Sequence, residues 1–171
     1  MRIALAQINP TVGDINGNLN LIKDFYTRAL KFKCDILVFP QLSICGCPVG
    51  DLLFNSDFTS QISDSLEKIA ADCSKIKIIA GFAEFQSDNC YNSLAVISER
   101  KIQKIHRKDV ITPHYIHDKQ PYLKPSDNTC ILEIDGLRSA LTIGDEILQN
   151  DKKKLYPQFQ QIDLIINTSA Q

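Results

Sequence analysis

The chain has 171 residues, 44% of them hydrophobic, and this length and composition predict one domain with a sizeable core. Its 19 basic and 20 acidic residues give a formal net charge of -1, which argues against binding to nucleic acid or to an anionic membrane surface. The N-terminus lacks the apolar segment of a secretion signal, and no apolar run is long enough to cross a bilayer. We therefore expect a soluble, cytoplasmic protein whose ligands are small molecules or protein partners.

The first half of the chain predicts strands that alternate with helices. Residues 2–8 and 35–39 are short apolar runs typical of strands, and the second run is expected to be buried on both faces. Between them, apolar residues recur at helical spacing from Asn18, which is the expected N-terminal cap. A second helix over 56–74 and a strand over 75–84 follow. These elements predict the order β-α-β-α-β.

The second half of the chain predicts mainly strands joined by tight turns. A polar Glu-Arg turn separates residues 91–98 from 101–108, and an Asp-Gly turn separates 129–134 from 137–143, so each pair predicts a hairpin. Residues 109–128 carry no periodicity and are rich in Pro, Asp, His and Tyr. Because long loops inside compact domains are often functional, we expect this segment to be an ordered loop that takes part in function.

The C-terminal residues predict an amphipathic helix over 146–161 and a last strand over 163–169. The mixture of crossovers and hairpins predicts an α/β fold in which parallel and antiparallel strand pairs coexist and helices cover the sheets. No internal repeat or interdomain linker is evident, so we expect a single domain.

Six cysteines occur in the chain. In a sequence this hydrophobic they predict reduced thiols in the core rather than a disulfide scaffold. The closest pair, Cys45 and Cys47, has neither a second cysteine pair nor histidines at the spacing of a zinc site. The sequence therefore predicts no metal site and no cofactor.

Five segments of the sequence carry a family resemblance. In chain order they are ALAQINPTVGDINGN, DILVFPQLSICGCPVGDLL, YNSLAVI, RKDVITPHYIHDKQPYL and ALTIGDE. Together they resemble the carbon-nitrogen hydrolase (nitrilase) superfamily and, within it, the N-terminal glutamine-hydrolysing domains of glutamine-dependent NAD synthetases. The resemblance implies a nitrilase-like α-β-β-α sandwich that is incomplete at the C-terminus, because further strands and a substrate-contacting loop follow in complete relatives. It thus implies a single partial domain over residues 1–171.

The same resemblance implies a Glu-Lys-Cys triad that attacks the side-chain amide of glutamine and releases ammonia for a synthetase domain. In that chemistry the carboxylate takes the thiol proton, and the ammonium stabilises the charge that develops on the carbonyl oxygen. Carried over onto this sequence, the lysine is retained as Lys108. The base position holds Gln41, whose amide accepts no proton near neutral pH, and the nucleophile position holds Gly144, which has no side chain.

The positions that the resemblance implies for substrate binding are also changed. Cys47 stands where the family generally places a tyrosine, and His114 stands where it places an aromatic hydroxyl. Asp145 replaces the glutamate that follows the nucleophile, and Ser169 corresponds to a serine at the end of a strand. Only the last two are mild changes.

These replacements predict a degenerate, catalytically inactive glutamine-amide hydrolase domain. An alternative is a non-catalytic interaction module that docks an NAD synthetase domain, a sister nitrilase subunit or a second copy of the chain. A third alternative, residual amidase activity, requires a nucleophile from elsewhere. Cys45 and Cys47 lie on the loop of the base and lack a carboxylate partner, so the sequence favours a packing role for both.

Overall fold

The computed structural model describes residues 1–86, 89–109, 123–126, 130–134, 136–148 and 161–170. Within these residues the chain forms eight β-strands, two α-helices and two short 3₁₀ helices. In chain order they are β1 (Ile3–Leu5), α1 (Ile15–Lys31), β2 (Ile36–Val38), a 3₁₀ helix (Gly50–Phe54), α2 (Ser56–Asp72), β3 (Lys77–Gln86), β4 (Asn89–Ser98), β5 (Lys101–Arg107), β6 (Cys130–Ile134), β7 (Leu137–Ile143), a second 3₁₀ helix (Gly144–Leu148) and β8 (Leu164–Thr168). The eight predicted strands are all present.

The strands form two sheets. The first has the order β1-β2-β3-β4-β5, with parallel pairs up to β3 and antiparallel pairs beyond it. The second has the order β6-β7-β8, antiparallel between β6 and β7 and parallel between β7 and β8. The predicted coexistence of parallel and antiparallel pairs is confirmed.

Apolar side chains pack against both faces of the five-stranded sheet. One cluster joins the sheet to α1 and α2 and includes Leu37 and Ile22. The other joins it to the three-stranded sheet and includes Ile36, Val38 and Leu141. Neighbouring residues of β2 thus face opposite layers, which confirms that this strand is buried on both sides. Each fully buried Ile or Leu of this kind stabilises the fold by about 1.5–3 kcal/mol.

Both predicted hairpins are present. Between β4 and β5, Glu99 and Arg100 have φ angles of 53° and 61°, the left-handed conformation that two-residue hairpin turns require at both central positions. Between β6 and β7, Ile134 lies opposite Leu137, as the Asp-Gly turn predicts. The hairpins place the end of β5 and the end of β7 where the candidate site forms.

The predicted cap of the first helix is wrong. The helix begins at Ile15, and the Asp14 side chain accepts a hydrogen bond from the backbone N–H of Gly17. Asn18 is buried within the helix, where its side chain accepts from Thr11 N and donates to Ile44 O. It therefore joins the loop before the helix to the loop that follows β2.

Two other predictions fall largely on residues that the structure does not describe. The amphipathic helix over 146–161 begins inside the second 3₁₀ helix, and residues 149–160 lie outside the described residues. The predicted loop over 109–128 is described only at 109 and 123–126. In the parts of the chain that are described, no helix combines the length and the apolar character needed to cross a membrane.

Candidate active site

The loop after β2 places Gln41 in the interior. Gly81 of β3 makes this packing possible, because a Cβ there would lie 2.4 Å from Leu42 N and 2.5 Å from Pro40 O. Ser43 fastens the same contact: its hydroxyl donates to Gly81 O at 3.1 Å and accepts from Gly81 N at 3.2 Å. Gln41 is consequently only 5% exposed.

Lys108 follows β5 and is held by its backbone on both sides. Its N–H donates to Asn92 O at 2.8 Å, and its carbonyl accepts from Ser126 N at 3.0 Å. The residue is 3% exposed, so its ammonium group lies inside the protein. The predicted position of the retained lysine is therefore an interior position at a strand end, not a surface one.

Gly144 follows β7 and completes the convergence of the three predicted catalytic positions. It has a φ of 58°, in the left-handed region that favours glycine. A Cβ built on it would lie 3.5 Å from Gln41 Oε1 and 3.5 Å from Lys108 Nζ. A side chain at this position would therefore point between the amide and the ammonium, at ordinary van der Waals distance from both.

Asp145 balances the charge of Lys108. Asp145 Oδ1 lies 2.8 Å from Lys108 Nζ, and the two side chains are 6% and 4% exposed. The other carboxylate oxygen, Oδ2, is buried without a hydrogen-bond partner among the described residues, and so is Gln41 Oε1. The site thus contains a buried ion pair and two acceptor atoms with spare hydrogen-bonding capacity.

A cavity of about 90 Å³ adjoins Gln41. Two of the predicted binding positions, Cys47 and Ser169, line it together with Gln41. The remaining lining residues are Ile8, Asn9, Pro10, Pro40 and Ala170. His114 lies outside the described residues, so the structure places six of the seven predicted site residues.

A buried cluster around Glu146 was missed in the sequence. His106 Nε2 lies 3.1 Å from Glu146 Oε2, and both side chains are 2% exposed. The same carboxylate accepts hydrogen bonds from the backbone N–H groups of Ile143 and Asp109. Since His106 and Asp109 flank Lys108, and Ile143 precedes Gly144, Glu146 joins the two strand ends that carry the candidate site.

The carboxyl groups of this cluster have opposite pKa shifts. Burial raises the pKa of Asp109 to about 7, and the hydrogen bond and negative charge of Glu146 act in the same direction. For Glu146, burial alone would raise the pKa, but hydrogen bonds from His106 and Asp109 and the charge of His106 outweigh it and lower the pKa. Glu146 therefore holds the negative charge, and Asp109 keeps a proton toward neutral pH.

The only sequence signals for this cluster are weak. His106 interrupts an otherwise ordinary strand, and Glu146 is the second of two acidic residues after Gly144. Because 40 residues separate His106 from Glu146, no local pattern pairs them. Their contact depends on how the two sheets stack.

Comparison with known proteins identifies the family. A family model described as carbon-nitrogen hydrolase matches residues 2–169. The chain belongs to the carbon-nitrogen hydrolase family. It is 30% identical over 149 residues to the glutamine-dependent NAD(+) synthetase of Thermotoga maritima, a match that covers 86% of this chain and 26% of that protein. It is 27% identical over 175 residues to the enzyme of the same name from Aquifex aeolicus, covering 99% and 30% respectively.

Solved structures show the same fold. The glutamine-dependent NAD+ synthetase of Acinetobacter baumannii superposes with a TM-score of 0.90 at 23% identity, over 99% of this chain and 32% of that one. A double mutant of the amidase from Nesterenkonia sp. AN1, in complex with acrylamide, gives 0.83 at 18% identity, over 100% and 65%. This carbon-nitrogen hydrolase chain thus spans about a quarter to a third of the length of its NAD synthetase relatives.

The described geometry limits the chemistry of this carbon-nitrogen hydrolase site. It contains an ammonium that could stabilise a developing oxyanion, but that ammonium is already paired with a carboxylate. The amide of Gln41 cannot serve as a general base, and Gly144 offers no atom that could attack a carbonyl carbon. Among the described residues, the three converging positions therefore offer an ammonium at Lys108 but no carboxylate at Gln41 and no thiol at Gly144.

Proposed function

We propose that this chain is a catalytically inactive carbon-nitrogen hydrolase domain, derived from the glutamine-hydrolysing domain of a glutamine-dependent NAD synthetase. In an active glutamine-dependent NAD synthetase, that domain hydrolyses glutamine and supplies ammonia for NAD synthesis. The proposal rests on similarity to NAD synthetases and on one structural observation. A Cβ at position 144 would lie 3.5 Å from both Lys108 Nζ and Gln41 Oε1, yet the residue there is glycine.

The size of the expected defect favours inactivity. In hydrolases whose catalytic groups act as a unit, loss of the nucleophile alone lowers turnover by about 10⁶-fold. The absence of a general base at Gln41 adds little to this loss of turnover, because position 144 carries no thiol to be deprotonated. What remains would come from binding and from the Lys108 ammonium, whose charge Asp145 already neutralises at 2.8 Å.

Ammonia release from glutamine and from a short primary amide tests the proposal. The matched control is the double change Lys108→Met with Asp145→Leu, which removes the charge that any residual hydrolysis at this site would use and leaves no buried charge unpaired. We expect both proteins to release ammonia at the rate of buffer alone. Release by the wild-type chain that the double change abolishes would refute the proposal, whereas equal release by both would identify a contaminating amidase.

A second candidate function is docking of a synthetase domain or of a second copy of the chain. The observation that favours it is a groove of about 570 Å³ along β1, which pairs only with β2 among the described strands. Leu5 and Phe32, both in this groove, are 70% and 67% exposed. Exposed apolar residues beside an open sheet edge are typical of interaction surfaces.

Light scattering after size-exclusion chromatography tests docking, with the chain alone and with an ammonia-dependent NAD synthetase domain. Leu5→Lys should abolish any self-association or co-elution that uses the groove. Phe54→Lys is the matched control, because Phe54 is 69% exposed and does not line the groove. A monomer that never co-elutes, or complexes that Leu5→Lys leaves intact, would count against this second function.

A further inference from the structure

One edge of the five-stranded sheet is open in the described part of the chain. β1 is the outermost strand there and pairs only with β2. The carbonyl of Arg2 and the N–H of Ala6 both bond to the β2 side. Because the backbone groups of successive strand residues point to opposite sides, the N–H and C=O groups of Ile3 and Leu5 point away from β2. β1 therefore offers two donors and two acceptors to a further strand.

The groove along this edge combines apolar side chains with positive charge. Its apolar lining includes the exposed residues Leu5 and Phe32. Its charged lining residues are Arg2 and Arg28, and none of the described residues that line it is acidic. A complementary occupant therefore supplies apolar side chains and negative charge.

The contacts of the two arginines leave their charge available to a partner. The Arg2 guanidinium donates to Phe32 O, which is a neutral acceptor. Arg28 lies over the ring of Phe25, 4.5 Å from its centroid. The ion pair of Arg28 with Asp24 is long, at 3.9 Å, and its side chains are 56% and 64% exposed, so solvent screens it.

Charge argues against a second copy of the chain as the occupant. A symmetric pairing of two β1 strands would bring the same groove of both copies together. Arg2 and Arg28 of each copy would then lie in one interface, where like charges repel. The groove is therefore better suited to a segment of different composition.

We propose that this groove binds an extended acidic segment of another protein, which adds to the sheet as a strand beside β1. The backbone of the segment pairs with Ile3 and Leu5, and its apolar side chains pack on Leu5 and Phe32. Its carboxylates pair with Arg2 and Arg28. In this mode of recognition the main-chain hydrogen bonds supply affinity and the side-chain contacts supply specificity. The proposal rests on the docking function given above and states what the partner has to present.

Binding of fluorophore-labelled peptides to the folded chain, followed by fluorescence anisotropy, tests the charge requirement. The two probes are end-blocked pentapeptides, Glu-Val-Glu-Val-Glu and Lys-Val-Lys-Val-Lys. We expect the acidic peptide to bind about tenfold more tightly at low ionic strength, and the ratio to shrink at high salt. Arg28→Glu should weaken the acidic peptide about fivefold. Lys68→Glu is the matched control, because it makes the same change of net charge at an exposed helical residue outside the groove.

Amide exchange measured by NMR tests the addition of a strand. Saturation with the acidic peptide should slow the exchange of the Ile3 and Leu5 amides about tenfold. An acidic peptide that is N-methylated at its three central residues cannot donate to β1 and should bind about tenfold more weakly, as the loss of two hydrogen bonds predicts. Weaker binding of this peptide separates strand pairing from attraction between charges alone.

Equal affinity for the acidic and basic peptides at low ionic strength would overturn the proposal, and so would binding that leaves exchange at Ile3 and Leu5 unchanged. Dimerisation that Leu5→Lys abolishes and that the acidic peptide does not displace would make a second copy the occupant and would also overturn it. Co-elution with a synthetase domain without any preference between the peptides would preserve docking but overturn strand addition. Binding of the acidic peptide without such co-elution would support strand addition and exclude the synthetase domain as the partner.

Discussion

Removal of the charge of Asp145, which forms a buried ion pair with Lys108, should destabilise the fold far more than removal of the charge of Asp72, which forms an exposed ion pair of the same length with Lys23. Lys108 Nζ and Asp145 Oδ1 are 2.8 Å apart, with side chains 4% and 6% exposed. Lys23 Nζ and Asp72 Oδ2 are also 2.8 Å apart, but their side chains are 44% and 55% exposed. The two pairs share residue types and distance and differ in burial, so Asp145→Asn and Asp72→Asn form a matched comparison.

The expected magnitudes follow from solvation. Removing one partner of a buried ion pair leaves an uncompensated charge in the interior and costs about 3–5 kcal/mol. An exposed pair contributes only about 0–1 kcal/mol, because water solvates and screens both charges. Domains of this size unfold with about 5–15 kcal/mol in total, so Asp145→Asn should remove a large part of the stability.

Equilibrium urea unfolding, followed by far-UV circular dichroism, measures both changes. The chain has no tryptophan, so circular dichroism is the better probe. A third variant, Lys108→Met with Asp145→Leu, replaces both charges by apolar groups and should be more stable than Asp145→Asn, because no charge is left unpaired. Equal, small losses for Asp145→Asn and Asp72→Asn would refute the idea that the Lys108 ammonium is buried and depends on Asp145.

Three further predictions concern the same region. Gly81→Ala should destabilise the chain much more than Gly144→Ala in urea unfolding, because a Cβ at 81 would lie 2.4 Å from Leu42 N. At 144 the nearest atoms are 3.5 Å away, so only the left-handed φ carries a cost, of about 1–2 kcal/mol. A loss of stability in Gly144→Ala as large as that in Gly81→Ala would show that the site has less room than described. The pKa of Asp109 is raised to about 7 from an ordinary 3.8, so between these values the folded state retains a proton that the unfolded state releases. The contribution of Asp109 to the free energy of unfolding is therefore fully present below about pH 3.8 and is lost as the pH rises through 7. The wild-type chain should therefore lose stability relative to Asp109→Asn between pH 4 and pH 7, and a difference that stays constant across this range would contradict the raised pKa. The double change Gln41→Glu with Gly144→Cys should not restore ammonia release from glutamine, because Cys47 and His114, which the family resemblance implies for substrate binding, also differ from the family pattern. Release by that variant would show that a base and a nucleophile are all that the site needs.

Local patterns predicted much of the secondary structure and failed where tertiary contacts decide. The hairpins were predictable because each is a short turn between two strand-like runs. At Glu99 and Arg100 the two-residue length of the turn, not the residue types, requires the left-handed φ values. The helix cap was not, because Asp14 and Asn18 are both good capping residues. What decides between them is that Asn18 bonds to Ile44 O, a group 26 residues away.

The candidate site shows the same division. Its three converging positions were predicted only through the family resemblance, since 67 residues separate Gln41 from Lys108 and no periodicity relates them to Gly144. The Glu146 cluster was missed because it is visible only once the end of β5 is placed against the end of β7. The ion pair of Lys108 with Asp145 was missed for that reason too, although Asp145 itself was among the predicted site residues.

The frame of the site does not depend on catalytic side chains. The loop of Gln41 is held by backbone contact with Gly81 and by the Ser43 hydroxyl, and the strand ends are joined through Glu146. Gln41 and Gly144 at these positions are therefore compatible with an intact fold. The presence of Lys108 is not an argument for activity either. With Gln41 neutral and Gly144 without a side chain, a buried ammonium still needs a negative partner, and Asp145 supplies it at 2.8 Å. Loss of either member of this pair would leave a buried charge unpaired, so the stability of the fold alone is sufficient reason to keep both.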